Sequence, residues 1–200
     1  LFGESTVGAI VTDGDPRGNG LARTYGLDFH LKDSRFLGQE AKTGELIGWY
    51  MQTESEGVED YGWGLTAIYP NNPIYIRAGL QRVGEDLDPA MGFVRRPGIY
   101  EFISFFSYEM APKGSRWNEI DFDFSAGFDS DLDWEILSGE YEFDVTFERK
   151  GGGEIQFGIE HEWERFLEDF EISDGVVVPV GDYRSTKLFG GIETPSSWEW

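Results

Sequence analysis

Between residues 117 and 165 the side chains alternate apolar and acidic with a period of two, which is the mark of β-strands with two unlike faces. Ile120, Phe122, Phe124, Ala126 and Phe128 fall on one side, and Glu119, Asp121, Asp123, Ser125 and Asp129 on the other. The pattern resumes with Tyr141, Phe143, Val145 and Phe147 against Glu140, Glu142, Asp144, Thr146 and Glu148. It returns once more with Ile155, Phe157, Ile159 and Trp163 against Glu154, Gln156, Glu160, Glu162 and Glu164. Three successive strands of this kind are expected to pair antiparallel. One face is aromatic and the other nearly all carboxylate, the division expected where the outside of a closed barrel meets lipid and its inside meets water.

Composition agrees with strands. Aromatic residues make up 16% of the 200 positions and glycine supplies 27, a mixture that favours strands and turns over helices or disorder. The formal net charge of -22 excludes a nucleic-acid partner, which would need a basic stripe. It suits cations instead: carboxylates at this density attract divalent metal or basic groups, or line a water-filled channel. With no cysteine there are neither disulfides nor thiolate metal sites, which fits an exported bacterial protein. The longest uncharged run, 61–76, contains Pro70, Asn71, Asn72 and Pro73, so it reads as two strands and a turn and not as a spanning helix. If the chain crosses a membrane, it does so as strands.

The whole chain reads as an all-β antiparallel meander of about ten strands, part of a transmembrane β-barrel. The strands are expected over 5–12, 22–32, 45–53, 61–69, 74–83, 99–110, 117–128, 134–149, 154–166 and 183–193. Turn residues separate them at 13–20, 70–73, 112–115 and 150–153. Two long segments interrupt the meander. The first, 84–98, mixes acids, apolar side chains and the pair Arg95 and Arg96, and is expected to fold over a rim or into a lumen. The second, 168–182, holds an apolar run at Val176–Val178 that suits a short strand or a packed loop. The third strand alternates poorly, since Glu45, Ile47, Trp49 and Met51 share one face while Leu46, Gly48 and Tyr50 share the other, so burial on both sides or partial cover is expected there. The chain begins at Leu1 without a methionine and ends at Trp200, and both ends read as truncations of one barrel segment spanning 1–200.

The stretch Val83-Gly84-Glu85-Asp86-Leu87-Asp88-Pro89-Ala90-Met91-Gly92-Phe93-Val94-Arg95-Arg96 is followed by Gly175-Val176-Val177-Val178-Pro179-Val180-Gly181-Asp182-Tyr183. With Tyr25-Gly26-Leu27-Asp28-Phe29 and Asp33-Ser34-Arg35-Phe36, these segments resemble an uncharacterised bacterial family over nearly the whole chain. In that family a domain of unknown function, thought to be an outer-membrane β-barrel, follows a module similar to family-9 carbohydrate-binding modules. The resemblance implies an outer-membrane location and a link to carbohydrate. The carbohydrate-binding module has no counterpart here, nor do the strands expected beyond Trp200, and this chain is more acidic than the family leads one to expect. No catalytic residue carries over from it.

Paired carboxylates are the main chemical feature. Asp121 with Asp123, or Glu160 with Glu162, stand at i, i+2 on one strand face, ~7 Å apart, within the separation that inverting glycosidases use. Any polar strand face of so acidic a chain offers such pairs. His30 and His161 fall on different strands without a ligand partner in zinc spacing. The runs Asp13-Gly14-Asp15 and Asp129-Ser130-Asp131-Leu132-Asp133 gather carboxylates in turns, which leaves calcium open as a ligand although no complete calcium loop is present. Neither a nucleophile elbow nor a phosphate-cradling loop occurs. Trp49, Tyr50, Trp63, Tyr69, Tyr100, Tyr108, Trp117, Trp134, Trp163 and Trp198 lie mostly near strand ends, where rings of a membrane barrel form interfacial girdles.

The expectation is therefore an outer-membrane barrel segment that anchors a carbohydrate-recognising protein or passes small solutes, with lipid as a partner and no catalytic residue. Its candidate binding residues are Asp121, Asp123, Glu142, Asp144, Glu160 and Glu162 on the polar face, with Arg95 and Arg96 in the loop. The alternatives are a soluble β-barrel or sandwich, periplasmic or secreted, that binds glycans through exposed rings, and a glycan hydrolase using paired carboxylates. The sequence sets no oligomeric state.

Overall fold

The computed structural model describes residues 4–14, 18, 20–90 and 92–195. Its strands are β1 (Thr6–Asp13), β2 (Ala22–Asp33), β3 (Gly44–Ser55), β4 (Val58–Pro70), β5 (Ile74–Val83), β6 (Ile99–Met110), β7 (Trp117–Asp131), β8 (Ile136–Arg149), β9 (Glu154–Phe166), β10 (Phe170–Ser173), β11 (Val176–Val178) and β12 (Gly181–Glu193). Ten of them form one sheet in the order β1-β2-β3-β4-β5-β6-β7-β8-β9-β12, and β10 pairs with β11 alone. The fold is thus an all-β antiparallel meander, in which β1 and β12 are the end strands and no pairing between them occurs among the described residues. No helix among the described residues is long and apolar enough to cross a membrane.

Ladders follow the alternation read from the sequence, and β5, β6 and β9 have the expected bounds. One reversal differs. The aspartate-rich run turns later than expected: Asp129 to Asp131 complete β7, and the reversal falls on the next four residues, with Trp134 at φ 68° outside β8. The Asp131 carboxylate imposes this, because its Oδ1 accepts the backbone N–H of Asp133 at 2.9 Å and of Glu135 at 2.8 Å. The Val176–Val178 run forms a strand, hairpinned back on β10. The expectation at Asp15 lies outside the described residues, as does that at Trp198.

Contacts divide the chain into two compact units. The first comprises Leu1–Asn71, Arg77–Ile103 and Asp129–Glu135. In it Leu27 stands opposite Tyr50 and Gly48 opposite Leu65, which puts Tyr25, Leu27, Tyr50, Tyr61 and Leu65 on one exposed aromatic face. Its other face is polar at Thr24, Asp28, His30 and Glu45 but also carries the half-buried Trp49, so the third strand is partly covered on that face and exposed at Tyr50 on the other, not buried on both sides. Trp49 is therefore not a girdle ring. Gly62 and Gly64 explain its place: a Cβ on Gly64 would collide with the indole, and one on Gly62 would lie 3.1 Å from it. Two glycines in a strand interior weaken it unless a neighbour uses the space. Gly64→Val is expected to dislodge the indole and cost about 1–3 kcal/mol of stability, read from the midpoint of urea unfolding; an unchanged midpoint would mean that the ring does not depend on that gap.

The second unit comprises Asn72–Ile76, Ser104–Phe128 and Ile136–Trp200. Here Tyr141 faces His161, Phe143 faces Ile159, Val145 faces Phe157 and Phe147 faces Ile155 across β8 and β9. Leu188 and Ile192 of β12 extend the same face opposite Ile159 and Ile155. The opposite face pairs Glu140 with Glu162, Glu142 with Glu160 and Glu148 with Glu154. Its rings are not a core: Phe124, Phe143 and Phe157 are 40%, 42% and 51% exposed. Among the described residues the buried apolar side chains are Ala22, Leu87, Ile99, Ile120, Leu137 and Val145, far fewer than strands of ten to fifteen residues would bury if their aromatic face were turned inward.

Candidate functional site

In the first unit, residues 84–98 leave β5, cross the polar face and return to β6. A chain segment that leaves a sheet needs partners for its backbone N–H groups, and Asp60 supplies one. Its carboxylate accepts the N–H of Asp86 at 2.9 Å and of Tyr61 at 2.7 Å, and Arg82 Nη1 lies 3.4 Å away. The buried Thr53 hydroxyl accepts the N–H of Asp88 at 3.2 Å, and Gly98 N–H donates to the Gly84 carbonyl at 3.2 Å to close the segment at its base. Between these polar ties Leu87 is buried beside Gly62, against the space that Trp49 also fills.

The two loop arginines reach acids of the same unit. Arg96 Nη1 stands 3.0 Å from Asp129 Oδ2, and Arg95 Nη2 stands 3.6 Å from Glu101 Oε1, while Glu101 Oε2 accepts from the Gln81 amide. Arg96 is the stronger tie, since the Arg95 side chain is 81% exposed and exposed pairs contribute little. Under the segment lies a cavity of about 560 Å³ walled by Trp49, Met51, Leu87, Val94 and Ile99, with Gln81, Glu101 and both arginines as its polar lining.

The second unit holds the six candidate carboxylates. Asp121 and Asp123 share a face of β7; Glu142 lies opposite Glu160, and Glu162 opposite Glu140. Like charges directly opposite on a sheet repel, and Lys187 of β12 relieves them. Its Nζ donates to Glu160 Oε1 at 2.8 Å and Oε2 at 2.7 Å and lies 3.9 Å from Glu162 Oε1. Asp144 accepts from Gln156 Nε2 at 3.1 Å. Asp121 is the exception: its buried Oδ1 has no hydrogen-bond partner among the described residues.

Lys187, Asp60, Glu101 and Asp129 thus join the predicted residues. Lys187 was legible only as a cation on an edge strand, because its register to Glu160 needs the pairing of β12 with β9 across the hairpin of β10 and β11. No trio of histidine, aspartate or glutamate side chains is placed to hold a metal among the described residues. The histidines sit in pairs of their own, His30 Nε2 at 2.7 Å from Glu45 Oε2 and His161 Nδ1 at 2.8 Å from Thr186 Oγ1. Chemically, the arrangement attracts cations along one strand face and holds a loop across another. No protein-family model, curated protein or solved structure matches this chain.

Proposed function

We propose that the chain is part of a bacterial outer-membrane β-barrel whose aromatic face meets lipid and whose acid face lines a water-filled lumen, with residues 84–98 folded across the polar face of the first unit as a constriction. Small cationic solutes would pass along the carboxylates of β7, β8 and β9. A link to carbohydrate uptake or recognition rests on the resemblance carried by 83–96 and 175–183 alone. The observation that carries the reading is the exposure of Phe124, Phe143 and Phe157 on long strands whose opposite side chains are acids. Water penalises such a surface at roughly 25 cal/mol for each Å² of apolar area, and lipid removes the penalty. Strands of 13–15 residues in β7, β8 and β9 also exceed the 9–11 that cross a hydrocarbon core when tilted.

The direct test is behaviour without detergent. A membrane barrel requires detergent or bilayer to remain monodisperse and folded; a monodisperse, folded protein in plain buffer would remove this reading in favour of a soluble glycan-binding sheet. Ion selectivity tests the lumen separately. Glu142→Gln with Glu160→Gln should lower the cation preference measured as a reversal potential under a salt gradient, while Lys187→Gln should raise it, because Lys187 neutralises part of the Glu160 and Glu162 charge. Shifts of the same sign in both variants would disconnect these side chains from the conduction path.

A further inference from the structure

Within so acidic a chain, four cations of the second unit stand apart. Lys113 and Arg116 belong to the connection between β6 and β7, and Arg149 and Lys150 to the end of β8 and its turn into β9. All four are exposed, and none pairs with a carboxylate among the described residues. The two turns are joined, since Lys150 N–H donates to the Arg116 carbonyl at 3.1 Å. Exposed cations are common; cations left unneutralised while 38 acids are available are not explained by solubility. They are held beside the end of the aromatic face, where Trp117 packs 5.3 Å from Phe147 and the Arg116 guanidinium lies 5.0 Å over the Trp117 ring.

Between the turns lies a cavity of about 290 Å³ bordered by Arg116, Trp117, Arg149, Ile155 and Ile192. Its shape depends on Gly153, whose φ of +87° and closeness to Glu193 leave no room for a side chain: a Cβ there would lie 2.7 Å from the Glu193 carbonyl oxygen. Glu154 and Glu193 also border the cavity. They stand opposite one another in the register that continues the acid face from Glu148, whereas Ile155 and Ile192 continue the aromatic face. The recess is therefore apolar toward the aromatic face, with Arg116 and Arg149 among its lining residues and Lys113 and Lys150 on the same two turns.

We propose that these two turns bind the phosphate of an anionic phospholipid, its headgroup held by Arg116 and Arg149 with Lys113 and Lys150 nearby, and its acyl chains lying along Phe147, Ile155 and Ile192. Guanidinium is suited to the task, because its fork of donors matches phosphate oxygens and it tolerates partial dehydration better than ammonium. A ring beneath Arg116 fixes the guanidinium plane at the level where Trp prefers to sit in a bilayer. The sheet connections agree with that placement. Successive connections of a meander alternate between its two ends, so within the second unit these two turns share one end and the longer segment 167–180 lies at the other. In outer-membrane barrels the short-turn end is periplasmic.

This inference rests on the membrane reading, and the experiment separates the two. Purified protein in detergent micelles is titrated with phosphatidylglycerol or with phosphatidylcholine, and bound lipid is counted by native mass spectrometry. Phosphatidylglycerol should bind in preference, and Arg116→Ala with Arg149→Ala should weaken it about 25-fold, at about fivefold for each charge removed near a membrane surface, without changing phosphatidylcholine. Arg116→Lys with Arg149→Lys should recover part of the loss, and Arg184→Ala, at the far end of β12, should cause none. A protein that requires detergent yet binds both lipids alike, or loses both alike in the alanine variant, overturns the headgroup site alone. Displacement of the lipid by millimolar inorganic phosphate would make this a free-anion site and overturns the lipid assignment. A protein that needs no detergent overturns both readings.

Discussion

Phe143→Arg combined with Phe157→Arg should prevent folding into phosphatidylcholine vesicles, while Asp144→Arg, one residue away on the same strand, should fold as the parent does. The two outcomes follow from direction alone. Phe143 and Phe157 lie on the face shared with Ile159 and Val145, and Asp144 lies on the face shared with Gly158 and Gln156. An arginine facing lipid near the bilayer midplane costs about 2–4 kcal/mol in a barrel, so the double variant loses roughly 4–8 kcal/mol, which is most of the stability of an ordinary domain. At Asp144 the new cation would stand near Glu142 and its cross-strand partner Glu160, where it relieves repulsion. Urea titration in vesicles, with the mobility of unheated samples as the readout, measures both. For a soluble protein the arginine pair would sit on a wetted surface and raise solubility, so a double variant that folds as well as the parent defeats the lipid-facing assignment.

Direction was also what the sequence conveyed best. Period-two alternation in 117–165 specified the strands and their two faces, but not the register that brings Glu142 opposite Glu160. A slip of one residue would have put Phe143 among the acids, whereas a slip of two would not, so alternation sets the parity of the pairing and the turn at 150–153 sets the rest. What the sequence left open depends on contacts distant in the chain. Trp49 looks like a girdle ring by type, yet alternation puts it on the face opposite Tyr50, where the gap above Gly62 and Gly64 on the next strand receives the indole. The partners of Arg95 and Arg96 could not be read either, since Glu101 and Asp129 lie beyond a reversal whose geometry no local signal fixes. Asp131 shows the same limit at short range: three acids in five residues suggest a cation site, whereas one carboxylate is already occupied by two backbone N–H groups of its own turn.

Asp60→Ala with Leu87→Ala should free residues 84–98 from the sheet and raise both the single-channel conductance and the rate of tryptic cleavage after Arg95. Asp60 contributes because its carboxylate satisfies two N–H groups, one from each side of the gap, and faces the Arg82 guanidinium. Both bonds are exposed, so exchanging the Asp86 bond for water costs about 0.5–1.5 kcal/mol. Leu87 contributes packing, and truncating a buried leucine costs about 2–5 kcal/mol. Together these exceed the tie between Arg96 and Asp129, so Arg96→Ala alone should open the segment far less. With docking weakened by roughly 3 kcal/mol or more, the released population rises at least a hundredfold (at about 1.4 kcal/mol per factor of ten), and cleavage should rise with it when opening is fast relative to proteolysis. The ladder bonds of β3 and β4 are untouched by either substitution, so the urea midpoint of the sheet should fall less than the loop-opening free energy. Faster cleavage with unchanged conductance would show that the segment covers the sheet without narrowing any path; unchanged cleavage would show that Asp60 and Leu87 are not what holds it down.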